Sequence, residues 1–195
     1  MLDARIIHVG GTGLFKAFDG ELTVSLLRRA KALRRTTTFD LIQATPETIA
    51  LVEPCLPHID YFVPNIDEAS EMAGTTRVPA VAEFFRARGV RNGILTLGAH
   101  GVYVAPEHEE AFHLPAFDIR VSDTTGCGDS FTAGIIVGLT KGWSLKESAR
   151  FASAIAAKVA MGLGSQGKLT SFEDTLQASQ SLPTRQNTPT VAHQF

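Results

Sequence analysis

The stretch VSDTTGCGDSFTAGIIVGL, Val121 to Leu139, joins a polar, glycine-rich turn to an apolar run with Phe131, Ile135 and Leu139 four residues apart. That spacing predicts a helix, and the turn predicts chemistry at its start. The first N–H groups of a helix have no internal acceptor, and the macrodipole makes that end partly positive. Glycines let a ligand approach the backbone and permit the φ > 0 conformations that aim successive amides at one point. Gly126, Cys127 and Gly128 therefore form a candidate anion hole. Asp129 would repel an anion held only for binding. Its presence makes sense if the carboxylate takes a proton from an attacking hydroxyl while the amides stabilise charge on the transferring group. A plainer reading makes Asp123 or Thr124 the helix cap, the glycines relief for a tight turn, and Asp129 a complement to the dipole.

Outward from this turn, short apolar runs alternate with helical patterns. ARIIHVGG, Ala4 to Gly11, reads as a buried strand ending in a glycine turn. A helix follows from Gly20 to about Arg35, then strand TTTFDLI and a helix in ATPETIALVEPCL with Thr45 as N-cap and Pro46 at the first position. DYFVPN and GILTLG are further strands, flanking a helix from about Ala80 to Arg88. GVYVAP and AFHLPAF read as a hairpin or meander turning near Glu107 to Glu110. Two helices close the fold, from Gly126 and from Ser144. The second carries a Ser144/Glu147 capping box and a stripe of Ala152, Ile155, Ala156 and Val159. The expected architecture is α/β, a mostly parallel sheet with helices on both faces, as one domain over 1–182 with a loose tail over 183–195.

Composition narrows the class. A chain of 195 residues, 44% hydrophobic and 19% charged, has room for one sizeable core. Its formal net charge of -2 gives no reason to expect nucleic acid or an anionic membrane as partner. No apolar run reaches membrane-spanning length. The N-terminal MLDARIIHVGG lacks the layout of a secretory leader, and two cysteines, Cys55 and Cys127, are no disulfide framework; a reducing cytoplasm is expected.

DTTGCGDSFTAG resembles the signature of the ribokinase-like, or PfkB, carbohydrate kinases, D-T-x-G-A/C-G-D-x-F. Three other segments match that family in order. PNIDEA puts Asn65 and Glu68 in N-x-x-E spacing, TLGAHG puts Thr96, Gly98 and Gly101 in T-x-G-x-x-G spacing, and GLGSQG, Gly162 to Gly167, matches the late loop beside the nucleotide. The resemblance implies a kinase using ATP and magnesium on a sugar or sugar-like acceptor. Asp129 would be the base, and Gly126, Cys127 and Gly128 the anion hole. Asn65 and Glu68 would organise magnesium through its waters. Thr96, Gly98, Gly101, Thr124 and Ser153 would border the nucleotide, although many members have an asparagine near the place of Ser153. Asp123 and Thr125 fall where many relatives hold a monovalent cation, potassium being the candidate.

The resemblance also implies that the family's first strands, its early glycine pair, several sugar-contacting residues and its small β-sheet lid have no counterpart here. One sheet flank would then be unpaired unless a second copy or a partner chain covers it. A nucleotide-binding but non-catalytic chain, or a partner-dependent subunit, is the rival reading. Taken alone, Asn65-Ile-Asp-Glu68 is also a helix-capping box.

Other motifs carry less. There is no GxxxxGK[ST], and GGTG at Gly10 to Gly13 lacks the third glycine of a dinucleotide fingerprint. The histidines of HEEAFH, His108 and His113, are five apart, roughly 140° around a helix, which does not suit a metal. RRAKALRR, Arg28 to Arg35, reads as a solvated helix face, since no aromatic residue interleaves. Trp143 is expected to pack. Cys127, at a helix start, is expected to have a lowered thiol pKa.

Overall fold

A computed structural model describes residues 2–15 and 17–186. The chain forms two compact units. One comprises the described residues of Met1–Thr96 with Tyr103–Phe112, the other Leu97–Val102 with those of His113–Ala192. Six strands form one sheet in the order β1 (Ile6–Val9), β2 (Thr36–Phe39), β3 (Tyr61–Phe62), β4 (Asn92–Thr96), β5 (Val102–Ala105) and β6 (Phe112–Leu114). The first four run parallel, with Ile6 opposite Thr36, Thr38 opposite Tyr61 and Phe62 opposite Gly93. The mostly parallel α/β class expected from the alternation is the one observed.

In the first unit, α1 (Glu21–Ala32), α2 (Pro46–Val52), α3 (Ile66–Ala73) and α4 (Val78–Arg86) accompany the strands. Ile94 and Leu95 are adjacent in β4 and both fully buried, so both faces of that strand are covered. Phe62 sits at the centre of the core, 4.8 Å from Phe85 and 6.1 Å from Phe39 between ring centroids. Thr37 is buried in β2 without penalty, because its N–H donates to Asp60 Oδ2 (2.9 Å) and its hydroxyl to the His58 carbonyl (2.7 Å). Thr45 caps α2 as expected, accepting from the Thr48 N–H at 3.2 Å. α2 stops at Val52, and a 3₁₀ turn over Glu53–His58 takes up Pro54 and Pro57, which cannot continue an α-helix. α3 has no place among the expected elements, although its capping box was legible in the sequence. β1 is an edge strand with His8 exposed, not the fully buried strand expected, and Leu14, Phe15, Leu22 and Ile42 are exposed in the same unit.

In the second unit, α5 (Cys127–Lys141) and α6 (Leu145–Ala160) are joined by Gly142–Ser144 and run antiparallel: Cys127 meets Ala156, Gly134 meets Ala152 and Gly138 meets Ser148. The Ser144/Glu147 capping box is present. The chain does not end its helices there. α7 (Phe172–Ser181) follows, capped by Ser171, whose hydroxyl accepts from the Asp174 N–H at 3.1 Å. Trp143 packs edge-on against Phe151 at 5.3 Å. The tail expected from Pro183 begins with paired backbone, since Asp118 N–H donates to Pro183 O (2.7 Å) and Arg185 N–H to Ala116 O (2.8 Å). Residues 187–195 of that tail lie outside the described residues. No helix among the described residues is long and apolar enough to cross a membrane.

This unit is expected to lose stability in acid. Asp174 pairs with the buried Lys158 and accepts from the Thr170 hydroxyl, and these bonds hold its carboxyl below the usual range. Asp123 and Glu147 are lowered by hydrogen bonds, from Thr125 and Gly164 to the one and from Ser144 to the other. A carboxyl with a depressed folded pKa stabilises above its ordinary value, about 4, and loses that contribution as pH falls through the depressed value. The melting temperature is therefore expected to fall as pH drops below about 4, modestly because the three carboxyls are exposed. Asp174→Asn should lower it at pH 7 and flatten the acid slope. Parallel curves for variant and wild type would remove Asp174 from this account.

Candidate active site

The signature turn lies in the second unit. Gly126 is the N-cap of α5 at φ 77°, and no side chain caps the helix. The expectation that Asp123 or Thr124 would cap it is corrected. The Asp123 carboxylate instead accepts from the Thr125 N–H (2.9 Å), the Thr125 hydroxyl (2.8 Å) and the Gly164 N–H (2.8 Å). The last of those bonds ties the turn to the late loop GLGSQG across 41 residues of sequence. Gly126 closes the same junction, since a Cβ there would stand 2.7 Å from Ser165 Cβ. Ser122 and Asp123 N–H groups both donate to Ala160 O, which fixes the turn to the end of α6.

Cys127, Gly128 and Asp129 are the first three residues of α5. Of the amides assigned to the anion hole, that of Cys127 donates to Thr124 O at 3.1 Å. Those of Gly126 and Gly128 have no acceptor among the described residues. Gly128 is at ordinary helical φ with open space where a Cβ would be. Neither backbone conformation nor packing requires glycine there. Asp129 and Thr124 are solvent-exposed. The thiol of Cys127 reverses expectation: burial first, then the Asp123 charge, pushes its pKa up, and Sγ lies 3.6 Å from Ala156 O. Burial against α6 outweighs the helix dipole. Ser153 Oγ donates to Ala149 O of its own helix at 2.8 Å.

The two glycines of TLGAHG in this unit differ in kind. Gly98 opens a 3₁₀ turn at φ 57° with free space beside it. Gly101, at φ 94°, would bring a Cβ to 2.0 Å from Leu114 O, so packing accounts for it fully.

The first unit holds Asn65, Glu68 and Thr96. Asn65 caps α3, its Oδ1 accepting from Glu68 N–H (2.8 Å) while Glu68 Oε2 accepts from Asn65 N–H (3.1 Å). Asn65 forms a parallel bridge with Thr96, whose N–H donates to Pro64 O at 3.1 Å, so all three meet at the carboxyl ends of β3 and β4. That is where open α/β sheets bind ligands. Burial pushes the Glu68 pKa up against the lowering effect of its Asn65 bonds. Sequence reasoning missed Gly134 and Gly138, which set the close approach of α5 to α6. Their small-residue spacing was the available signal.

Comparison with known proteins adds to this geometry. A family profile described as pfkB family carbohydrate kinase matches residues 2–171. The chain is 30% identical over 132 residues to a ribokinase from Haemophilus influenzae, covering 65% of this chain and 43% of that protein. It is 31% identical over 180 residues to a 2-dehydro-3-deoxygluconokinase from Bacillus subtilis, covering 85% of this chain and 56% of that protein. The crystal structure of a ribokinase from Thermotoga maritima superposes with a TM-score of 0.75 at 26% identity, over 91% of this chain and 57% of that one. The chain thus spans about half the length of the curated relatives it matches.

Proposed function

From the premise that the chain belongs to the pfkB family of carbohydrate kinases, we propose that it transfers the γ-phosphoryl group of ATP to a hydroxyl of a sugar or sugar-like acceptor. The observation that carries this reading is Gly128: an amide without an acceptor, on the first turn of an uncapped helix, beside open space. A phosphate seated there meets backbone donors and the positive end of the α5 dipole. Asp129, the next residue, takes the proton that the attacking hydroxyl loses, and the amides of Gly126 and Gly128 stabilise charge on the phosphoryl group. Cys127 contributes to the hole only if its amide exchanges Thr124 O for the phosphate.

Asn65 and Glu68 suit magnesium held through water. Glu68 has one carboxylate oxygen in the capping box and the other available, and Mg²⁺ keeps several waters beside one or two carboxylates. When bound, the ion neutralises charge on the phosphates. Thr96, Gly98, Thr124 and Ser153 border the nucleotide in this reading, with Gly101 supporting the turn. Asp123 and Thr125 are assigned to a monovalent cation beside the late loop, which a potassium requirement for turnover tests.

The deciding experiment measures ADP release from Mg-ATP across a panel of sugars and nucleosides, with and without potassium. Acceptor-dependent release supports the kinase. Stabilisation by ATP with no acceptor turned over replaces it with a nucleotide-binding, non-catalytic chain. Gly128→Ala separates site from fold. It should leave the protein as stable or about 0.5–1 kcal/mol more stable, because alanine is the better helix former. Turnover should fall about tenfold or more as the methyl displaces the phosphate. Unchanged turnover in that variant would remove Gly128 from the site.

A further inference from the structure

At the end of α1 the chain turns through Leu33, Arg34 and Arg35 into β2. Arg34 N–H donates to Lys31 O and Arg35 N–H to Ala30 O, both at 2.9 Å, closing the helix. This closure holds Arg34 at φ 55°, the one non-glycine residue with positive φ among the described residues. Glycine is the usual occupant of such a position, because an L side chain is strained there. An arginine in this place needs a reason, and the helix dipole does not supply one: it favours Lys31 inside the last turn, whereas Arg34 and Arg35 lie beyond it.

Arg34 and Arg35 line a cleft of about 360 Å³ together with Lys31, Arg91, Asp60 and Glu107, where β2, β3 and β4 begin. Lys31 pairs with Asp60, and Arg91 lies 3.5 Å from Asp60 and 3.7 Å from Glu107, so two cations and two carboxylates balance. Arg35 donates from Nε to the Leu2 carbonyl at 2.9 Å and has no carboxylate partner among the described residues. The Arg34 guanidinium has neither an ion pair nor a hydrogen bond among the described residues. Two uncompensated guanidiniums therefore face a concavity of small-molecule size. All of these residues belong to the first unit, and β4 separates them from Asn65 and Thr96 at the other end of the strands by about 13 Å.

We propose that this cleft binds a small hydroxylated phosphomonoester, its phosphate on the guanidiniums of Arg34 and Arg35 and its hydroxyls on the Glu107 carboxylate. The guanidinium fork matches phosphate oxygens in pairs, and a carboxylate accepts from sugar hydroxyls. The mixed lining selects an ester over a bare anion, since Glu107 repels phosphate and attracts hydroxyl.

The test is calorimetric titration of the full chain with glucose 6-phosphate, and separately with inorganic phosphate and a short duplex oligonucleotide. Saturable, salt-screened binding of glucose 6-phosphate is expected, weakened about tenfold or more in Arg34→Gly and in Arg35→Gln and unchanged in Gly128→Ala. Because glycine suits φ 55°, free Arg34→Gly should melt at or above the wild-type temperature, so loss of binding there is not loss of fold. Binding that survives both arginine changes overturns the proposal, as does binding lost equally in Gly128→Ala or no saturable binding to wild type. Equal affinity for inorganic phosphate overturns the ester assignment. Capture of the oligonucleotide alone turns the patch into a nucleic-acid contact.

Discussion

Asp129→Asn is expected to lower turnover by about 10²- to 10⁴-fold, the contribution of a positioned general base, while leaving the affinity for ATP undiminished. The carboxylate is the third residue of α5 and solvent-exposed, next to the open amide of Gly128. Asparagine keeps its size and its place in the helix but cannot take a proton. It also removes a negative charge close to where the phosphates are proposed to sit, so ATP should bind as tightly as before or more tightly. The loss of a favourable charge at a helix N-terminus costs about 0.3–1 kcal/mol, too little to unfold a domain. Single-turnover ADP release beside ATP titration separates the two quantities. Equal turnover in variant and wild type would mean that another group takes the proton. A joint loss of turnover and ATP binding would indicate damage to the turn itself.

The largest stability effect is expected at Gly134, far from any reacting group. A Cβ built there stands 2.6 Å from Ala152 Cα and 2.9 Å from Ala152 Cβ, contacts that real side chains do not make. The obstacle is backbone on α6, so no rotamer change relieves it. α5 and α6 must move apart, which opens the seam that buries Phe131, Ile135, Ala149 and Phe151. Gly134→Ala should therefore destabilise by about 1–3 kcal/mol, toward the upper end, although alanine is the better helix former by up to about 1 kcal/mol. Denaturant midpoint is the readout. A variant as stable as wild type would show that the two helices do not pack as closely as this geometry has them. Activity should suffer too, because Cys127 and the signature turn rest on the same helix pair.

These two expectations concern residues five positions apart in one glycine-rich segment, where sequence offers little to tell one glycine from another. Gly126 is held by φ and by Ser165, Gly134 and Gly138 by the facing helix, and Gly128 by nothing among the described residues. Only the last leaves room for the phosphate proposed above. The same division separates Gly98 from Gly101. Asn65 and Glu68 show the opposite case. Their capping box satisfies two N–H groups of the helix end, yet it sits beside Thr96 at the carboxyl ends of two strands, so the structural and the chemical reading occupy the same atoms.

By itself the sequence determined whatever depends on residues three or four apart. Thr45, Asn65 and Ser144 announce their helices because a cap bonds an N–H three residues on. The alternation of apolar runs with amphipathic stretches likewise specified a mostly parallel α/β sheet, and the glycine spacing marked the turn that opens α5. Ser171 carried the same kind of signal for α7, hidden by a weak apolar stripe. Tertiary structure alone decided the rest. Cys127 owes its raised pKa to burial against a helix about thirty residues later, and Asp123 gave up a cap for a bond to Gly164. Arg34 and Arg91 became neighbours in one cleft because β2 and β4 begin at the same end of the sheet. Burial and charge proximity are set by groups brought together across the chain, and no local spacing encodes which groups those will be.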